Sequence, residues 1–192
     1  VPELKGVLEY RREDIGYRTG GATKDKDSDF LIGGFDYAVA RKFTLTGRLG
    51  NQWRQRASER SSSGAYAEFS GKYDYALRSF ITGGYVYTLE ETSNVALYSD
   101  TRVSRFFVNV QHALTALMVA SASYTYEPSE LQGRRGVPNA DETTRRAGLA
   151  LTWLPTPNWS FSANYDYDKV SSEAPGRGQN RERYGVSGAY RF

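Results

Sequence analysis

Side chains alternate between apolar and polar at every second residue in ten separate segments of this chain. The clearest case runs from Trp159 to Asp168. There Trp159, Phe161, Ala163, Tyr165 and Tyr167 oppose Ser160, Ser162, Asn164, Asp166 and Asp168. A period of two is the pattern of a β-strand with one apolar face. An amphipathic helix would instead repeat its apolar residues every three or four positions. The other segments lie near 4–12, 31–40, 43–54, 65–75, 81–89, 105–112, 116–126, 146–153 and 184–192. No apolar run approaches the roughly 20 residues of a transmembrane helix. The expected fold is therefore all-β, with residues 1–192 forming a single domain.

The last segment adds a second constraint. Tyr184, Val186, Gly188, Tyr190 and Phe192 share one face, and the chain ends on the aromatic Phe192. This ending resembles the C-terminal insertion signal of Gram-negative outer-membrane β-barrel proteins. Gly188 departs from the pattern, being small where a larger apolar residue is usual. The resemblance implies an outer-membrane location, contact with lipid and lipopolysaccharide, and insertion by the barrel-assembly machinery. The Tyr-Asp-Tyr strand ends and the Asp-, Glu- and Arg-rich loops also resemble barrels associated with exopolysaccharide export.

Composition fits that reading better than its averages suggest. Hydrophobic residues make up only 39% of the chain, but a barrel strand needs just alternate apolar positions. The 15 Tyr, 9 Phe and 3 Trp supply rings suited to a membrane–water interface. The absence of Cys excludes disulfides, thiolate metal sites and cysteine nucleophiles. The net charge of +3 comes from well-mixed signs, without the basic stripe of a nucleic-acid binder.

Connections near 40–43, 75–79, 112–115 and 154–158 read as short. Those near 13–28, 56–63, 90–101, 127–143 and 171–181 read as long and polar. Strict alternation of short turns and long loops is the habit of an antiparallel up-and-down transmembrane barrel. A soluble β-sandwich or a lipocalin-like barrel shares the period but need not alternate in this way. Ten strands place both termini on the short-turn, periplasmic side. The first strand must then pair with the last to close the sheet. The start of the chain beside a strand also leaves open a place within a wider barrel.

The apolar faces form two expected aromatic girdles. Tyr37, Phe43, Tyr73, Tyr75, Trp153, Trp159, Tyr190 and Phe192 lie toward the short turns. Tyr10, Trp53, Tyr87, Tyr126, Tyr165, Tyr167 and Tyr184 lie toward the long loops. The opposite faces would line a lumen and carry Glu9, Arg11, Asp36, Arg48, Arg54, Glu68, Lys72, Asp74, Arg105, Arg146, Asp166, Asp168, Arg183 and Arg191. Ten strands enclose a narrow interior, so these charges either plug it by pairing or line a thin polar path.

Catalytic chemistry finds little support. Omptin proteases, also ten-stranded, use an Asp pair and an Asp–His pair at the outer rim. The single His112 here stands beside a short turn on the apolar face. Asp166 and Asp168 could share a cation, but Arg146 and Arg183 on flanking strands favour ion pairing. The basic, Gly-rich stretches at 133–136 and 176–181 read as solvated outer loops that could meet lipopolysaccharide or polysaccharide. The expectation is a barrel without enzymatic activity, cofactor or metal, acting as a narrow porin-like channel. The alternative is a structural or adhesive barrel with a plugged lumen and partner-binding loops.

Overall fold

A computed structural model describes residues 3–15, 26–56, 59–92, 97–134 and 136–191. Ten antiparallel strands form one sheet in sequence order. They are β1 (Glu3–Ile15), β2 (Lys26–Ala40), β3 (Phe43–Arg56), β4 (Glu59–Ala76), β5 (Ser79–Glu91), β6 (Tyr98–Ala113), β7 (Met118–Gly133), β8 (Ala140–Trp153), β9 (Trp159–Ser172) and β10 (Gln179–Tyr190). Each pairs with its sequence neighbour, which is the up-and-down topology that consecutive hairpins produce. Phe192, the last residue of the expected insertion signal, lies outside the described residues.

The short turns fall at 41–42, 77–78, 114–117 and 154–158. The loop expected at 56–63 is different. Strands β3 and β4 continue almost to its tip, with Arg56 opposite Glu59. Likewise β7 runs to Gly133 and β8 begins at Ala140, which shortens the loop expected at 127–143. Polar residues hid these extensions, because strand ends that project beyond an apolar belt keep the ladder and lose the hydrophobic alternation.

The register places large apolar residues on one face. Leu4, Leu8, Tyr10, Phe35, Leu49, Phe69, Phe106, Leu149, Phe161 and Val186 are all exposed there, Leu8 at 81% and Val186 at 87%. The other face is the concave one. It buries Ser28, Gln52, Arg54, Thr144 and Asp168, with Gln52 only 1% exposed. Apolar residues join them on this face, including Phe30 (4%), Ile32 (2%) and Val103 (2%). Burial of polar groups beside exposure of large apolar ones reverses the usual partition of a sheet in water. A small apolar cluster of Tyr98, Leu131, Ala140 and Ala174, with Val137 against it, caps the long-loop end.

Curvature depends on backbone contact at glycine. A Cβ on Gly34 would stand 2.1 Å from the Gly47 carbonyl oxygen and 2.7 Å from the Arg48 Cδ. Gly34 thus leaves the space across which Arg48 lies flat. Gly34→Ala is expected to cost about 1–3 kcal/mol through forced backbone movement, read as a lower urea midpoint with an unchanged slope.

The expected seam between the first and last strands is not seen. Among the described residues no ladder joins β1 to β10; β1 pairs with β2, and β10 with β9. The nine formed ladders are all sequence-local, whereas the tenth must close a loop as long as the chain. In β10 the residues Gly185, Ser187, Gly188 and Ala189 also offer little side-chain area for cross-strand packing.

Candidate functional site: the concave charge network

Strands β3 and β6 are not neighbours, yet Arg54 of β3 reaches the Asp100 carboxylate of β6. Both side chains are almost wholly buried, at 5% and 4% exposure. The Arg54 guanidinium also donates to the Leu89 carbonyl at 2.9 Å, the Glu90 carbonyl at 3.3 Å and Ser28 Oγ at 3.3 Å. Every partner is an acceptor, as a buried cation requires. Curling of the sheet is what brings strands three apart within reach.

From β5 to β10 the charges alternate in sign. Arg105 donates to Glu127 and, at 2.9 Å, to Glu90. Arg146 stands 3.6 Å from Glu127 and 4.0 Å from Asp168. Asp168 accepts two hydrogen bonds from Arg181 and lies 3.7 Å from Arg183. Each strand offers its charge at the same level on the same face, so opposite signs meet across neighbouring ladders. Most of these side chains are partly solvated, and such pairs contribute little individually. Their shared effect is to order the loop half of the concave face.

Toward the short turns the face is looser. Arg48 donates to Asp36 at 2.7 Å and to the Phe35 carbonyl at 2.7 Å. Lys72 pairs with Asp74 at 2.9 Å, and Glu68 accepts from the Tyr66 hydroxyl at 2.7 Å. At the long-loop end of β1, by contrast, Arg11 lies between Glu9 (4.0 Å) and Glu13 (3.4 Å), and over the Phe30 ring at 4.4 Å. A recess of about 240 Å³ has a mixed lining that includes Phe80, Val110 and Ala150 beside Asn109, Asn164 and Asp166. There the small residues leave space that the arginines fill higher up.

The expected charge set thus falls on one face by register from Glu9 to Arg183. Arg191 differs: it follows the end of β10, and its amide donates to the Asn158 carbonyl at 2.8 Å. Asp166 accepts from Asn164 at 3.1 Å. Among the described residues no cluster of His, Asp and Glu could hold a metal. The sequence reading missed Glu90, Asp100, Glu127 and Glu142, all placed in loops. Extending the parity of Ser121, Ser123 and Thr125 by one step would have found Glu127.

The basic stretches are tied down rather than simply solvated. Arg177 makes a two-pronged pair with Glu142 at 2.7 and 3.1 Å, a hydrogen bond that raises its pKa despite partial burial. Arg134 donates to the Tyr98 carbonyl at 3.3 Å. His112 occupies the convex register, its Nδ1 3.0 Å from the Tyr75 hydroxyl. No family model matches the chain, and no curated protein is similar to it.

Proposed function

We propose that this protein is an integral outer-membrane β-barrel that forms a narrow, passive, porin-like channel without enzymatic activity. The observation that carries the reading is the reversed partition of the sheet: exposed apolar residues on the convex face, buried charges on the concave one. The convex apolar row spans Leu4 to Tyr10 on β1 and Trp159 to Tyr167 on β9. At roughly 3.3 Å per residue that is about 20–26 Å along the strands. Tilted by about 40°, it covers roughly 15–20 Å of depth, near the ~25 Å band of barrel proteins. Arg12, Arg145, Lys169 and Glu182 then follow on the same face. Aromatic pairs border the short-turn edge, with Trp159 4.9 Å from Tyr190 and Phe43 6.5 Å from Tyr73.

Such a sheet cannot leave backbone groups unpaired in lipid, so its edges must be covered. The closure that fits is β10 against β1. The two run in opposite directions, and both carry apolar convex rows. The alternating charge series ends on Arg181 and Arg183, and β1 offers Glu9 and Glu13 next. The recess then becomes part of the channel wall, and Arg54–Asp100 stands on the same concave face toward the long loops. A second reading is favoured by the completeness of the ion pairing: a plugged structural or adhesive barrel whose outer loops bind a partner. Lipopolysaccharide and envelope polysaccharide are the partners suited to the outer loops.

Planar-bilayer recording separates the two readings, after heat-modifiable gel migration has shown a closed barrel. Discrete ohmic steps are expected, with ion selectivity that shifts when Arg48→Gln or Glu68→Gln removes one charge. A heat-modifiable protein that stays electrically silent would sink the channel and leave the plugged barrel.

A further inference from the structure

The convex face is interrupted by a groove of about 460 Å³ over β6 to β9. Val110, Ala120, Ala122, Leu149, Leu151 and Ala163 line it. Its alanines are flanked by larger side chains, so the groove is a lane of missing volume in the apolar surface over β6 to β9. At the short-turn end the lining includes His112, the only histidine of the chain. The His112 ring stacks on Tyr75 at 5.8 Å and 16°, and the two share a hydrogen bond.

Outside the lining, the β4–β5 turn carries a strained arginine that bonds to the β6–β7 turn. Arg78 adopts a φ of 58° in the turn at 77–78, a conformation that favours glycine. Among the described residues it is the non-glycine with positive φ. Strain of this kind persists where surrounding contacts hold it, and it gathers at functional positions. Here Gln111 donates to the Arg78 carbonyl at 3.0 Å, and Arg78 donates to the Ala116 carbonyl at 2.9 Å. These bonds carry the guanidinium across to the β6–β7 turn, next to the strand end that bears His112. Ala116 occupies one of its five donors. The β2–β3 turn, farther along the same edge, adds Arg41 and Lys42, and the four short turns contain no carboxylate.

An apolar lane that ends on His112, with the Arg78 guanidinium bonded to the adjoining β6–β7 turn, matches a molecule with an acyl chain and an anionic head. We propose that this groove is a binding site for an anionic phospholipid, its acyl chain along Ala120 and Ala122 and its phosphate at Arg78 and His112. The site rests on the membrane reading above and names a lipid partner for it. Arginine suits phosphate because its planar donors meet two oxygens at once.

The test uses the full chain in vesicles of phosphatidylglycerol and phosphatidylethanolamine in equal amounts. Native mass spectrometry then reads which lipid stays bound after extraction. The wild type is expected to retain phosphatidylglycerol about tenfold over phosphatidylethanolamine, equivalent to about 1.4 kcal/mol. Arg78→Gly relieves the backbone strain and should keep a bound lipid while losing the head-group preference. Ala122→Phe fills the lane and should lose the bound lipid altogether. Equal retention of both lipids by the wild type would overturn the site. So would lipid held by Ala122→Phe, or a second protein copy in place of lipid. Flotation of the same vesicles separates the two failures. Protein that floats without a preference overturns the site alone, and protein that does not float overturns the membrane reading and the site with it.

Discussion

Asp100→Ala is expected to destabilise the protein by about 3–5 kcal/mol, the cost of leaving one member of a buried ion pair behind. Asp100 is 3% exposed, and the Arg54 it neutralises is 4% exposed. The remaining Arg54 partners include two backbone carbonyls, a hydroxyl and the Gln52 amide oxygen, all uncharged. They satisfy hydrogen-bonding geometry but cannot compensate a full charge held away from water. Removing both charges is a different experiment. Arg54→Met with Asp100→Leu is expected to be nearly neutral, since the desolvation cost vanishes with the attraction. Urea unfolding of both single variants and the double variant gives the coupling energy directly. A loss below about 1 kcal/mol for Asp100→Ala would show that water reaches the pair and that the concave face is not closed around it.

Leu149→Arg tests the environment of the opposite face. Leu149 is 58% exposed and lies midway along the convex apolar row, between Ala122 on β7 and Tyr165 on β9. In water, a charge at so open a position changes stability by about 0.5 kcal/mol or less. At the midplane of a bilayer the same arginine costs about 2–4 kcal/mol. Leu4→Arg, at the short-turn edge of the row, should cost only about 0–1 kcal/mol. The depth dependence is the signature, because a general loss of packing would not grade with height. Folding free energies measured in lipid vesicles check it. Equal small effects at both positions would remove the bilayer from the account.

Much of this architecture was legible residue by residue. Trp159 to Asp168 announces a strand and both its faces, and β9 spans Trp159–Ser172. The ion-pair preference of Asp168 was likewise visible from Arg146 and Arg183 on neighbouring segments. Its closest partner, Arg181, reads as loop in the sequence, because polar strand ends carry no hydrophobic signal. Ile32 and Phe30 escaped for the opposite reason. They are apolar residues on the polar face, and a rule that sorts faces by polarity has no place for them. Gly34 gave no sign of its role, since the close approach of the Gly47 carbonyl exists only once β2 and β3 are paired.

Alternation of side chains is a local property of an extended backbone, so the sequence alone determined that there are ten strands, the two faces of each alternating segment, and that neighbours pair. Curvature is not local. It sums small twists and glycine contacts over the whole sheet, and it alone decided that Arg54 would meet Asp100 across two intervening strands. The same long-range sum governs the two edges, where β1 and β10 stand without a ladder between them. Nine hairpins form from segments adjacent in sequence. The tenth contact would join the chain's two ends, and no pattern of period two encodes the entropy of bringing them together.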